Sequence, residues 1–316
     1  MKVRILYHDH CFDGAASAAL VSRFFLDSVY PGADLAYTGM AHTPNYPFHD
    51  ALFDSDHHAI VDYKYSSHPR VDWWFDHHQS AFLNPADEAH FRQDQNGRKF
   101  LDTSYKSCAR LIQSIAGARF HYRCPDLDEL VRWSEIIDGA LYPDADTAVN
   151  LAAPAMQLTL VIDNVPSETV QQIIRLLAAE PLQAIMERPE IRRLYQPLYE
   201  RHLQSIDLLR RHAGLRDGII FFDLSGQGVD RYNKFVPYQL FPKAPYSVSI
   251  TNPPGIVKIS VGSNPWAPHD CTRNIATLCE RYGGGGHPSV GAISLPEGET
   301  QRAREIAAQI IRDLRC

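Results

Sequence analysis

The chain has no CxxC pair, no apolar run long enough for a bilayer and no excess of positive charge. Each absence removes a class of function. The six cysteines, Cys11, Cys108, Cys124, Cys271, Cys279 and Cys316, are scattered. They have neither the paired spacing of a zinc ribbon nor the density of a disulfide framework, so a reduced, cytoplasmic setting is expected. The longest apolar stretch, TAVNLAAPAMQLTLVI, carries polar breaks and ends at Asp163. A spanning helix needs about 20 predominantly apolar residues, so no membrane partner is expected. The opening MKVRILYHDH breaks at Arg4 and turns polar at once, unlike a secretory leader. With a net charge of −6, the chain lacks the surplus of lysine and arginine that grips a long duplex through its phosphates. A short nucleotide, held by metals and a few local arginines, remains within reach. No repeat or low-complexity segment occurs.

What is present is histidine, fifteen of them, clustered in the first ninety residues. That concentration is the first sign of a metal site. The 316 residues suffice for two domains, and the 45% hydrophobic and 22% charged content is that of a globular protein. VRILYHDHCFDGAASAALVSRFF reads as strand, polar loop and helix. HDALFDSDHH and VDWWFDHH repeat the pattern of an apolar strand ending in acids or histidines. DTSYKSCARLIQSIAG reads as a helix, and PDLDELVRWSEIIDGALYPDAD as another that runs into Asp138. Such units predict an α/β domain over residues 1–165, a parallel sheet covered by helices. Residues 166–213 read as a helical connector. From 214 to 316, short strands separated by Gly, Pro and Asn turns predict a smaller mixed α+β domain.

In a parallel sheet, ligands bind outside the carboxyl ends of the strands. His8, Asp13, Asp54, His77 and Asp138 are the candidates to meet there. Taken singly, Asp13-Gly14 is a helix cap, Asp54 a turn residue and Asp138-Gly139 a helix stop. Taken together, they supply the carboxylates and imidazoles of a two-metal hydrolytic site, whose ions lie about 4 Å apart. Hard ions such as Mn²⁺ or Mg²⁺ suit that donor mix. The tripeptide Asp-His-His occurs twice, at Asp56-His57-His58 and at Asp76-His77-His78.

In order, HDHCFDGAASA, LFDSD, FDHHQS and IIDGA resemble the four motifs of the DHH phosphoesterase superfamily. GGGGHPSVGA resembles the glycine-histidine motif of the smaller domain associated with it. The resemblance covers nearly the whole chain. It implies hydrolysis of phosphoester bonds in short oligonucleotides or small phosphorylated nucleotides, with two divalent ions, Mn²⁺ first and Mg²⁺ or Zn²⁺ as alternatives. It implies His8 and Asp13 on different metals, Asp54 bridging them, and His77 and Asp138 completing the second. Asp76 would orient a histidine. His78 would bind phosphate or protonate the leaving oxygen. Gly284, Gly285, Gly286 and His287 would bind substrate, and the first tripeptide would be peripheral. Polyphosphate or pyrophosphate hydrolysis, nucleotide binding without turnover, and assembly as a homodimer all stay open.

Two departures stand out. Many members carry H-x-x-x-D-x-D in the first motif, whereas this chain has His8-Asp9-His10-Cys11-Phe12-Asp13. Asp9, His10 or Cys11 could fill the vacancy, and a thiolate would favour softer metals such as Zn²⁺. A small buried cysteine packed under the loop is the plainer alternative. Where many family nucleases place an arginine beside a serine, this chain has Gly262 before Ser263; Lys258, Asn264 or Arg273 could compensate.

Overall fold

The computed structural model describes residues 1–41, 47–229, 231–267 and 273–315. Cys271 and Cys316 lie outside them. The chain divides into two compact units, Met1–Tyr142 with Ala152–Leu198, and Pro143–Leu151 with Tyr199–Cys316.

The first unit is built on β1 (Lys2–His8), β2 (Asp34–Met40), β3 (His57–Val61), β4 (Trp73–Asp76) and β5 (Lys99–Leu101). They form a five-stranded sheet in the order β2-β1-β3-β4-β5, with every pairing parallel. A parallel sheet needs both faces covered, and the sequence supplies two sets of apolar side chains by alternation. Ile5, Tyr7, Ala59, Val61, Trp73 and Phe75 enter one core, and Leu6, Ile60 and Trp74 enter the other. The adjacent tryptophans thus point to opposite faces, each at most 1% exposed.

The first core is roofed by α1 (Phe12–Phe24), α3 (Cys108–Phe120) and α4 (Asp128–Asp138), while α2 (Pro85–Gln93) leads from β4 towards β5. Helix α1 is small and almost wholly buried, and Ala15, Ala16, Ala18 and Ala19 let it lie close on its neighbours. Gly14 permits the closest approach: a Cβ there would stand 2.0 Å from the His8 carbonyl oxygen.

After α5 (Ala145–Asn150), which belongs to the second unit, α6 (Pro154–Ile162), α7 (Ser167–Leu177) and α8 (Leu182–Glu187) return to the first. The helical text from residue 166 is therefore not a free connector up to Leu198. Val170, Ile173, Ile174 and Leu177 of α7 enter the same core as α1, because their spacing puts all four on one face. Among the described helices, α9 (Pro189–His212) alone runs from one unit into the other.

The second unit carries β6 (Gly214–Arg216), β7 (Ile219–Asp223), β8 (Tyr246–Thr251), β9 (Ile256–Ser263), β10 (Gly285–His287) and β11 (Val290–Pro296). Their order is β10-β11-β9-β8-β7-β6, antiparallel except for β7 beside β8. Helix α10 (Val236–Leu240) precedes β8, and α11 (Ile275–Glu280) and α12 (Thr300–Leu314) pack on the sheet. This is the mixed α+β architecture expected of the C-terminal region. Among the described residues, no helix is long and apolar enough to cross a membrane.

Candidate metal centre

Three neighbouring strands end at one edge of the parallel sheet, and each ends in chemistry. His8 closes β1, Asp62 follows β3, and Asp76 closes β4 ahead of His77 and His78. Asp13 sits in the first turn of α1, and Asp138 is the last residue of α4. Asp62 adopts a left-handed backbone, φ 56°, which aspartate tolerates better than most residues. Its N–H still donates to the Phe75 carbonyl at 2.9 Å, so the turn remains docked on β4.

Asp62 stands at the centre of the cluster. Its Oδ2 lies 3.3 Å from His8 Nδ1 and 3.8 Å from Cys11 Sγ. Its Oδ1 lies 3.4 Å from His77 Nε2 and 3.8 Å from His78 Nδ1. His77 Nε2 is also 3.4 Å from Asp138 Oδ2 and 3.6 Å from Asp13 Oδ2. Three groups of donor atoms lie within 4.8 Å of one another: His8 with Cys11 and Asp62, Asp62 with His77 and His78, and Asp13 with His77 and Asp138. Asp62 Oδ1 and His77 Nε2 are buried and make no hydrogen bond. Buried polar atoms are nearly always hydrogen-bonded, so two such atoms facing one another fit a centre built to receive cations.

The surroundings hold these groups in place. Asp13 accepts hydrogen bonds from the backbone N–H groups of Cys108, at 2.6 Å, and Ala109, at 3.0 Å, at the start of α3, and from Ser134 Oγ. The positive end of that helix offsets part of its charge. Asp76 Oδ1 engages His78 Nδ1 at 2.7 Å and accepts from the N–H of His77 at 2.9 Å. It therefore fixes the His78 imidazole and the His77 backbone, while the His77 ring is oriented by its Nδ1 on the Tyr105 carbonyl at 3.2 Å.

Burial pushes the Asp13 and Asp138 carboxyls up, and the Asp62 charge adds to that push. Asp62 is also buried, yet the His77 and His8 imidazoles outweigh burial and hold it well below the usual carboxylate range. Burial opposes charge on His77, but Asp62, Asp13 and Asp138 overcome it and lift the imidazole to about 10. For Cys11, burial and the same carboxylates hold the thiol well above its ordinary value. All the ion pairs of Asp13, Asp62, Asp76 and Asp138 found among the described residues are to histidine. Three of these carboxylates, Asp13, Asp62 and Asp76, are at most 1% exposed, and burying them so close together is costly without a cation.

His8, Asp13, His77 and Asp138 of the sequence-predicted set lie in this cluster, with His78 and Asp76 beside them. Asp54 does not. It lies ahead of β3, at the opposite edge of the sheet, where its exposed carboxylate pairs with Arg4 at 2.7 Å. ALF ahead of it leaves a single 3-10 turn, Asp50–Leu52, rather than closing a strand, and the strand is HHAIV, which follows. Asp62, missed in the sequence, occupies the position expected of Asp54. The pattern Ala59-Ile60-Val61-Asp62, matching Trp73-Trp74-Phe75-Asp76, was the available signal.

Asp9 and His10 also point elsewhere. Asp9 accepts from Ser167 Oγ and from Tyr7 Oη, and His10 Nδ1 faces the Ile162 carbonyl at 3.4 Å. Cys11 alone of that trio reaches the donors. The first tripeptide starts β3. His58 is buried, its Nε2 accepting from Ser55 N–H at 3.1 Å, and His57 stacks on Tyr30.

In the second unit, the glycine run has local duties. Gly283, at φ 76°, ends α11, and a Cβ on Gly284 or Gly286 would strike the backbone of β11 at 2.3 or 2.2 Å. Gly285 is unencumbered and His287 exposed. Asn264 is spent on the Pro242 and Ala244 carbonyls, and Arg273 reaches the Arg315 carbonyl.

No family model matches the chain, and no curated protein matches it in sequence. Solved structures do. A pGpG-specific phosphodiesterase, PggH, from Vibrio cholerae is similar over 99% of this chain and 100% of that one, at TM-score 0.71 and 16% identity. An exopolyphosphatase-related protein from Bacteroides fragilis is similar over 99% and 92%, at 0.52 and 13%. Exonuclease RecJ bound to manganese is similar over 98% and 90%, at 0.52 and 14%. All three are DHH superfamily members. The chain has the fold that these three proteins share. Within this fold, the tripeptide at the carboxyl edge is Asp76-His77-His78, and the earlier copy lies at the far end of the neighbouring strand.

Proposed function

We propose that the protein is a metal-dependent phosphoesterase acting on small phosphorylated nucleotides or short oligonucleotides. The observation that carries this reading is Asp62, whose two carboxylate oxygens face separate donor sets, as a bridging ligand's must. His8 would bind on one side of it, and His77, Asp138 and Asp13 on the other, with Mn²⁺ the first choice of ion and Mg²⁺ or Zn²⁺ the alternatives. When bound, two divalent ions supply activated water and offset phosphate charge.

The remaining steps belong to side chains. With Asp76 on its Nδ1, His78 presents Nε2 for the proton that the leaving oxygen needs. Burial works against charge on His78, but the Asp76 hydrogen bond and the Asp62 and Asp76 charges prevail and raise its pKa, which favours the protonated ring. Gly285 and His287 are proposed as substrate contacts, Gly284 and Gly286 as the support that shapes them. The unpaired cysteines support a reducing, cytoplasmic location.

The test is turnover by metal-stripped protein refilled with Mn²⁺, offered a linear dinucleotide, a short RNA, adenosine 3′,5′-bisphosphate and polyphosphate, with Asp62→Asn beside each. Nucleotide turnover lost in the variant supports the reading. Cleavage of polyphosphate alone moves it to phosphoanhydrides, and binding without turnover on any substrate refutes catalysis.

A further inference from the structure

We infer that Cys11 is a metal ligand through sulfur, which makes the His8–Cys11–Asp62 position softer than the one framed by Asp13, His77 and Asp138. The inference rests on the metal-centre reading above and adds a chemical asymmetry to it. Three observations converge. Cys11 Sγ, a His8 ring nitrogen and an Asp62 oxygen can all address one point, since their donor atoms lie within 4.8 Å of one another. Asp62 is 1% exposed, and its Oδ1 lacks a hydrogen bond, so the carboxylate beside the thiol is incompletely satisfied inside the protein. Asp9 and His10, which could have supplied oxygen or nitrogen in that motif, are tied to Ser167 and the Ile162 carbonyl instead. Sulfur is what the chain offers there.

The two positions then differ in kind. One has thiolate, imidazole and carboxylate; the other has carboxylates and an imidazole. Thiolate selects softer ions, so Zn²⁺, Cd²⁺ or Co²⁺ would be favoured at the first position relative to Mn²⁺ and Mg²⁺. Binding releases the thiol proton to solvent, because a coordinating thiol is deprotonated outright by the ion.

Co²⁺ is the probe, added to the full-length, metal-stripped protein. Co²⁺ bound through Cys11 gives sulfur-to-cobalt charge-transfer absorption in the near ultraviolet alongside the visible d–d bands. Cys11→Ser should keep the d–d bands and lose the charge-transfer absorption, whereas Cys108→Ser, whose thiol faces the Phe75 carbonyl at 3.3 Å, should keep both. Cys11→Asp guards against a poorly folded serine variant. It should bind two ions without the absorption, and its preference for Cd²⁺ over Mn²⁺ should fall by roughly tenfold or more. Co²⁺ bound with no charge-transfer absorption, or absorption that survives in Cys11→Ser, overturns the inference and leaves the metal centre standing. Failure to bind Co²⁺, Mn²⁺ or Zn²⁺ at all overturns both.

Discussion

Asp62 Oδ1 and His77 Nε2 face one another at 3.4 Å, both buried and neither hydrogen-bonded. The pair joins the ends of two adjacent strands, so disturbing either member disturbs the junction of both donor sets.

Asp62→Asn should lower Mn²⁺ affinity by more than about 100-fold, beyond the 10–100-fold typical of outer-sphere partners. Asp54→Asn should change it little, because that carboxylate is exposed and paired with Arg4. Calorimetric titration with Mn²⁺ checks both. Equal losses would return the bridging role to Asp54.

Asp76→Asn removes the carboxylate that holds His78 and the His77 backbone. The fold should survive, with metal affinity or turnover lower by about 10–100-fold. The pH profile of turnover should also shift on its basic side towards lower pH, since burial already works against the His78 proton and Asp76 supports it. An unchanged profile would reduce Asp76 to packing.

The stability of the metal-stripped protein and the stabilisation added by metal should depend on pH in opposite ways. His77 is raised to about 10, so its stabilising charge is complete below its unfolded pKa, about 6.5, and is lost as pH rises towards 10. Asp13 and Asp138 are raised too, and raised acids also lose stability as pH rises. The metal-stripped protein should therefore melt at lower temperature as pH climbs from about 6.5 to about 10. Added Mn²⁺ replaces the His77 proton, so the rise in Tm that it causes should grow over the same interval. Differential scanning calorimetry at fixed Mn²⁺ reads both slopes.

Ile173→Ala should cost about 2–5 kcal/mol, the usual range for emptying a buried aliphatic site, because Ile173 is 0% exposed within the first unit's core. Denaturant unfolding followed by the fluorescence of Trp73 and Trp74 would detect it. A change confined to the second unit would contradict the assignment of α7.

Much of this was legible in the sequence. His8, Asp13, His77 and Asp138 could be chosen because each opens, follows or ends a recognisable periodic segment. Asp54 misled because ALF looks like the end of a strand, yet Ala51 and Leu52 belong to a 3-10 turn over Asp50–Leu52 and Phe53 follows it. What distinguishes HHAIV is its place in the ladder beside β1, a long-range pairing that local periodicity does not report. The helices beyond residue 166 have the same difficulty. An amphipathic face declares that a helix is covered, and which core covers it depends on tertiary contacts. The glycine run divided in an equally non-local way, since the crowding at Gly284 and Gly286 comes from β11.

The strand order β2-β1-β3-β4-β5 also bears on how the centre comes into being. Each pairing in this sheet is parallel, so no two neighbours can be joined by a tight hairpin, and long loops must close before any ladder forms. Residues 8, 13, 62, 77 and 138 cannot meet until β1, β3 and β4 are aligned and α1 and α4 have docked. Such topology folds slowly. An ion held by these residues would find them together only on a nearly finished sheet, and would act as a late latch that slows unfolding rather than as a template that starts folding.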